Sequence, residues 1–467
     1  MNTGSSASSA KGGTLSRREI FSYGLPRFGS AIMFLTVVIY LPKFYTDELL
    51  LSPALIGVTF LIGRFWDAFT DPVMGYISDR TQWRMGRRRP YFLISAVPVA
   101  IAYYFLWSPP AHLKGFDLFL YVTVAYLMTY TFWTIFSIPY NSLGAEITMD
   151  YHERTLLTGV RETLGVLGTL VAATAPRLFI NLTGSKQSGF SLLALITGII
   201  TAGSIFFAFF NIKENPEFQK QRPIAIKEGL RVILRNRSFR ILLFVFVIAF
   251  MGNSLVPILT LYMAEYVVKM PKIADIIIVT YLLFTTASIL FWTRLSRKIG
   301  KKEAWSCALV FSSVIFLLST YYHEGTWLVW IILAGLAGFG YGCTLALAYS
   351  MMADVIDMDE LETGRRREGA YFGIWFLIEK GAAGMTVFLG MQALALMGYV
   401  PNVEQPLRVF WTLKFLYSIL PAICFFGGYL LLRNYPITQE VHARIRAEIE
   451  EKKARDLSMK EPLVEAT

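Results

Sequence analysis

The sequence predicts an all-α membrane protein, with twelve transmembrane helices in two six-helix bundles and both termini in the cytoplasm. Three observations carry that expectation. The first is that apolar residues come in long blocks: Tyr91–Trp107, Ala304–Tyr322 and Gly325–Ala353 contain no Asp, Glu, Lys or Arg. A spanning helix needs about 20 mostly apolar residues, and only helices or closed barrels satisfy their backbone polar groups in lipid. The blocks are continuous rather than alternating, which selects helices over barrel strands. The second is charge placement. About 32 of the 44 Lys and Arg residues fall in the tails and alternate loops and about seven in the loops between, the asymmetry that puts the basic loops in the cytoplasm. The third is a weak internal repeat. Asp79–Arg89 and Arg294–Lys302 each place a basic stretch and a glycine before further basic residues, and Ala145-Glu146 resembles Ala353-Asp354.

Taken in order, residues 1–19 are polar and Gly/Ser-rich and are expected to form a disordered cytoplasmic tail without the layout of a signal peptide. Residues 20–212 hold six spans, centred near positions 35, 66, 99, 131, 170 and 200. Residues 213–237 are a basic cytoplasmic linker that includes Lys213, Lys220, Arg222, Lys227, Arg231, Arg235 and Arg237. Residues 238–433 hold six more spans, centred near 252, 284, 312, 339, 383 and 419, and 434–467 form a second cytoplasmic tail. Gly335–Gly342 lies inside a span and reads as a helix-packing surface. Two repeated halves of this kind suggest alternating access, with the substrate bound at mid-membrane between them.

Composition excludes several classes. Hydrophobic residues make up 55% of the chain and charged residues 16%, against about 25% charged in soluble domains. That much apolar surface excludes a disordered chain, and its arrangement in long blocks argues against a water-soluble enzyme of two or three domains. The net charge of +11 follows from cytoplasmic loops, so no nucleic-acid partner is expected. Cys307, Cys343 and Cys424 lie in apolar runs, and His112, His152, His323 and His442 lie in loops or the tail, so no zinc motif forms. No nucleophile–base pair, metal set or phosphate loop indicates an enzyme, and no organic cofactor is expected.

Ionisable groups inside spans are costly, so each is a functional candidate. The richest group is Arg64-Phe65-Trp66-Asp67-Ala68-Phe69-Thr70-Asp71-Pro72 in span two. Asp67 and Asp71 are one helical turn apart and share a face. Two such carboxylates in a low dielectric do not both ionise without a cation. Pro72 frees the carbonyl of Ala68. With Thr70, the carboxylates form a candidate cage for Na⁺ or, with one protonated, a site for H⁺. Arg64 is placed to hold the pair when the cation is absent. The plainer alternative is that Asp67 and Asp71 only pair with Arg64, Arg161 or Lys380 to hold helices together. The repeat aligns Asp67 with Tyr281 and Asp71 with Thr285, so the architecture does not itself require acids there.

Lys380 in span eleven, followed by Gly381, Ala382, Ala383 and Gly384, is read as facing the cavity, with a snorkelling structural lysine as the alternative. Arg161 opens span five beside Glu162 and is either a substrate or gate residue or an interfacial one; Arg161 and Lys380 together suit an anion. Trp375 belongs with Trp66, Trp133 and Tyr140 as aromatics that either stack on a sugar or pack helices. Asp79, Arg80, Arg87, Arg88, Glu146, Asp354, Asp357, Arg366 and Glu368 are read as a cytoplasmic gate, in which the basic loop pairs with acids at other helix ends.

The run Arg64–Gly75, with Asp79-Arg80-Thr81 and Gly86-Arg87-Arg88-Arg89-Pro90, resembles the glycoside–pentoside–hexuronide:cation symporters, a melibiose-permease-like branch of the major facilitator superfamily. Ile138-Pro139-Tyr140, Glu153-Arg154-Thr155, Arg366-Arg367-Glu368-Gly369, Lys380 and the segment Gly398–Gln405 extend the likeness to nearly the whole chain outside the tails. The resemblance implies the major facilitator fold and Na⁺, Li⁺ or H⁺ coupling at Asp67 and Asp71, with Thr134 as a neutral ligand. It also implies roles near the site for Lys380 and Arg161. The sequence departs from the family at the sugar-binding acids of spans one and four, where Ala31 and Ser137 stand, and at a span-four tryptophan, where Asn141 stands. A site without those acceptors rejects a melibiose-like sugar. The expected protein is a monomeric plasma-membrane symporter for a sugar, glycoside or uronate. A cation-coupled carrier of an amphiphile such as a lysolipid is one alternative, and a non-transporting scaffold or sensor another.

Overall fold

The computed structural model describes residues 15–148, 150–212, 214, 235–364 and 367–460. The described chain is helical. The first half comprises α1 (Arg17–Lys43), α2 (Pro53–Arg80), α3 (Pro90–Trp107), α4 (Gly115–Glu146), α5 (Tyr151–Thr183) and α6 (Lys186–Asn211). The second half comprises α7 (Arg237–Ser254) continued by α8 (Val256–Tyr266), then α9 (Ala274–Ile299), α10 (Lys301–Leu318), α11 (Trp327–Thr363) and α12 (Glu368–Leu396). It ends with α13 (Leu407–Lys414) joined through a π-helical turn to α14 (Leu420–Leu432), followed by α15 (Gln439–Lys460).

Among the described residues, eleven helical segments are long and apolar enough to cross a membrane. The segment α2 is 28 residues long, but Arg64, Asp67, Asp71, Asp79 and Arg80 keep it outside that set. Its packing nonetheless matches the rest. In the first half α1 packs on α5 and α6, α2 on α4, and α3 on α4 and α6. In the second half α7 packs on α12 and α14, α9 on α11, and α10 on α11 and α14. The neighbour pattern therefore repeats, with α2 standing in the first half where α9 stands in the second.

Absent side chains set the closest contacts. A Cβ on Gly63 would lie 2.2 Å from Tyr126 Cε1, and one on Gly342 would lie 2.4 Å from the carbonyl of Thr285. Small residues are how helices approach without a hydrophobic drive between them. The halves meet along α2 and α12, which run antiparallel: Gly57 lies against Phe388, Gly384 against Arg64, and Asp71 pairs with Lys380. Arg80 and Glu368 therefore point to the same side, here called the terminal face because α1 begins there and α15 lies there.

Helix extends into both stretches read as tails. Ser16 caps α1 with a reciprocal Ser16–Glu19 capping box, so helix begins inside the stretch read as a tail; residues 1–14 lie outside the described residues. In the C-terminal tail, α15 docks on α11, burying Ile445 and Ile449. His442 Nε2 lies 3.2 Å from Asp357 Oδ2 and Arg446 Nη1 3.7 Å from the same oxygen. Of the central linker, Lys213 and residues 215–234 lie outside the described residues.

Candidate functional site

A cavity of about 300 Å³ lies between the halves. Helical periodicity builds its walls. From α1 come Arg27, Ser30 and Phe34, at spacings of three and four that repeat one face. From α4 come Tyr130, Trp133, Thr134, Ser137, Ile138, Tyr140 and Asn141, three turns of one face. Helix α2 adds Arg64, Asp67 and Asp71, and α5 adds Arg161. The second half contributes one residue, Lys380 of α12.

The α2 carboxylates are held by different partners. Lys380 Nζ contacts Asp71 Oδ2 across the interface between the halves, and Thr134 Oγ1 donates to Asp71 Oδ1 at 2.9 Å. Arg64 Nη1 approaches Asp67 Oδ2 at 3.4 Å, and its guanidinium lies 5.4 Å from the ring centroid of Tyr130. Asp67 is buried, and its Oδ1 has no hydrogen-bond partner. Thr70 Oγ1 is likewise buried without a partner. Arg64 thus holds one carboxylate, not the pair. Glu379 does not neutralise Lys380; it accepts from Tyr349 Oη at 3.2 Å.

At the terminal-face end of the cavity, Arg161 Nε lies 3.1 Å from Glu162 Oε1 and Arg27 Nη2 lies 3.7 Å from Glu162 Oε2. The Arg161 guanidinium sits 5.7 Å from the Tyr140 centroid. Ser137 and Asn141 stand on the same wall.

Two candidates do not line the cavity. Trp375 is fully buried in the second half, with its ring centroid 4.3 Å from that of Phe246 and 6.0 Å from that of Tyr349. It is five residues from Lys380, about 140° around the helix, so the two cannot share a face. Thr70 is about 100° from Asp71 by the same count and presents its buried oxygen off the cavity wall. Arg27 and Tyr130 went unrecognised as site residues. The available signal was Arg27 itself, a charge inside a span and one turn before Ser30 and Ala31.

The gate residues are distributed differently from the expectation. Arg88 pairs with Asp79 at 2.7 Å and with Glu146 at 3.0 Å, and Arg87 pairs with Glu146 at 2.7 Å. Glu214 accepts the backbone N–H groups of Arg87, Arg88 and Arg89, each at 2.7 Å. Arg80 stacks on Tyr76, 4.0 Å from the ring centroid. In the second half Asp354 holds Lys301 at 2.6 Å, Asp357 faces His442 and Arg446, and Glu368 sits in the first turn of α12. Arg366 lies outside the described residues. On this face each ion pair between described residues stays within one half, because each half answers its basic loop with its own helix ends. The expected pairing of the basic loop with Asp354 and Asp357 is not what these side chains make.

The halves are joined instead on the opposite face. Asp47, in a π-helical turn over Phe44–Glu48, is buried, and its carboxylate contacts Lys43 of its own half. From the second half, Tyr266 Oη donates to it at 2.8 Å and Tyr399 Oη at 2.5 Å, while Asn402 Nδ2 donates to the Asp47 carbonyl at 2.7 Å. Asn402 reaches this position with φ of 60°, a conformation asparagine tolerates well. Among the described residues no group of three or more His, Cys, Asp or Glu side chains is placed to hold a metal ion.

A helical membrane protein of two repeated halves with a charged cavity between them has the architecture of a carrier. The chain belongs to the MFS/sugar transport protein family, whose profile matches residues 22–439. It is a melibiose-permease-like member of the major facilitator superfamily and a multi-pass protein of the plasma or inner membrane. The isoprimeverose transporter of Lactiplantibacillus pentosus is 27% identical, with 94% of this chain and 92% of that protein covered. The sodium-dependent lysophosphatidylcholine symporter 1-A of Danio rerio is 25% identical, with 86% and 82% covered. Among solved structures, that of the nucleoside transporter NupG shares the fold with a TM-score of 0.66 at 13% identity, covering 90% of this chain and 100% of that one.

Proposed function

We propose that the protein is a cation-coupled symporter of a small organic solute, working by alternating access, with Asp67 and Asp71 as the cation site and Thr134 as a neutral oxygen. The observation that carries this reading is the contact of Asp71 with Lys380. A carboxylate of one half is neutralised by an ammonium of the other, and a Na⁺ or H⁺ taking the place of that ammonium releases the tie between the halves. The orphaned Oδ1 of Asp67 supplies an oxygen that a bare cation requires and a protein donor does not fill. Coupling follows because the cation binds the two arrangements of the halves differently, and the linkage is reciprocal.

In this reading α2 is the twelfth span. Its charges are tolerated because they face the cavity and one another rather than lipid. The terminal face, which carries the basic loops, is cytoplasmic, so the form described here is closed outside by the Asp47 contacts. The protein acts as a monomer in the plasma membrane and is not an enzyme. A sugar, glycoside or uronate suits a 300 Å³ cavity walled by Trp133, Tyr130 and Phe34. An amphiphile is suggested by the lysophosphatidylcholine relative, but the apolar cavity between Leu35, Val256, Tyr281 and Tyr417 is only about 50 Å³, against about 300 Å³ for the charged cavity.

The test is uptake into proteoliposomes with and without a Na⁺ or H⁺ gradient, after a thermal-shift screen of sugars, uronates and lysolipids. Asp71→Asn and Asp67→Asn are each expected to abolish gradient-driven uptake while the melting temperature holds. Unchanged cation dependence in both variants would reject the coupling role.

A further inference from the structure

We infer that the solute carried by this cavity is an organic anion, with its carboxylate or phosphate seated between Arg27 and Arg161; this deepens, and rests on, the symport reading above. The cavity wall carries four cations, Arg27, Arg64, Arg161 and Lys380, against two carboxylates, Asp67 and Asp71. Arg64 and Lys380 are matched to those carboxylates one to one. Arg27 and Arg161 are left with Glu162 between them, at 3.7 and 3.1 Å. The Glu162 side chain is 49% exposed and stands off the cavity wall, so one half-solvated carboxylate answers two guanidinium groups. The Nε atom of Arg27 is buried without a hydrogen-bond acceptor, and such a donor is costly to leave unmade.

The placement of Arg27 is built into the helix packing. A Cβ on Gly165 would lie 3.0 Å from Arg27 Cγ and 3.1 Å from its Nε. Glycine at that position lets the arginine stem lie against α5 and carry its head beside Arg161. The aromatic residues Phe34 and Trp133, with centroids 5.1 Å apart, offer the body of a ring-shaped solute an apolar wall beside this charged seat.

The seat also explains how a cation and an anion travel together. When the coupling cation occupies Asp67 and Asp71, Arg64 and Lys380 lose their partners and the cavity gains positive charge. The anion then binds more tightly, and by linkage the anion tightens the cation.

Binding of matched ligands to the purified full-length protein, by calorimetry in detergent with and without Na⁺ at two pH values, tests this. The ligands are glucose and galactose, glucuronate and galacturonate, and glucose 6-phosphate, so that carboxylate and phosphate seats are told apart. At least one anion is expected to bind ten- to hundredfold tighter than the neutral sugar of the same ring. That advantage should disappear in Arg27→Gln and Arg161→Gln and return in Arg27→Lys, each checked for an unaltered melting temperature. Equal binding of neutral and charged sugars, binding of none of the anions, or an anion preference that survives both glutamine variants would overturn the seat. The cation response is read separately: an anion preference with no effect of Na⁺ or pH in wild type keeps the seat and strikes the coupling proposal. Neutral ligands that bind more tightly with cation do the reverse.

Discussion

Where α2 carries Arg64, Asp67 and Asp71, the helix that fills the equivalent place in the second half, α9, carries Tyr281 and Thr285 at the repeat-matched positions. Both helices pack against the fourth helix of their own half, α4 and α11, through glycine contacts. Their polar side chains are spent differently. Tyr281 donates to Asn253 Oδ1 at 2.7 Å and Thr285 Oγ1 donates to the Tyr281 carbonyl at 2.7 Å, so both are satisfied within their own half. Asp71 is satisfied jointly by Thr134 and by Lys380 of the other half, and Asp67 only in part. One fold unit is therefore used twice, and the expense of intramembrane charge is incurred in one copy. The second half supplies a neutral, self-contained surface and a single ammonium.

That contrast is broken most severely at Lys380. Replacing it by Ala removes the second half's only charge in the cavity and leaves Asp71 with Thr134 alone. Gradient-driven accumulation is expected to fall by about tenfold or more, corresponding to about 1.4 kcal/mol or more of lost coupling, while solute exchange without a gradient persists; comparing counterflow with driven uptake checks this. The likeness of the halves is probed by the glycines. Gly342→Ala would press on the Thr285 carbonyl and Gly63→Ala on the Tyr126 ring, and each is expected to lower stability by about 1–3 kcal/mol in thermal melts. Gly381→Ala, with nothing within 4 Å of the added carbon, should leave the melt unchanged or raise it. The smallest effect is expected at Thr285→Val, the neutral counterpart of Asp71, whose cation dependence of uptake should match wild type; a loss there would mean that the second half shares the cation chemistry.

Much of the architecture was legible because lipid forces it: apolar block lengths, basic loops and the repeat all follow from the cost of polar groups in hydrocarbon. The cavity was legible where charge and period coincide, as at Asp67, Asp71, Arg161 and Lys380. It was not legible where residue type alone was the guide. Residue type left Trp375 open to stacking on a sugar or packing helices, and its angle from Lys380 on α12 turns it into the core beside Phe246. The gate charges of Arg87 and Arg88 gave no indication of which half would answer them, since Glu146 and Asp354 are equally acidic and only the packing of α4 brings Glu146 within reach. Asp47 and Arg27 were passed over because their partners lie far away in sequence: Tyr399 and Glu162 are brought to them by the fold.

The knot at Asp47 has a consequence for how tightly the membrane stays sealed. Its carboxylate draws donors from Tyr266 and Tyr399 while Asn402 grips the same residue's carbonyl, so a partial parting would strip these donors and leave the carboxylate with Lys43 and Thr46 of its own half. Hydrogen bonds to a charged group are worth about 1.5–3 kcal/mol each, and half-open forms are correspondingly scarce. The seal on that face therefore parts all at once, and the pathway has little chance to behave as a continuous pore through which ions leak down their gradient.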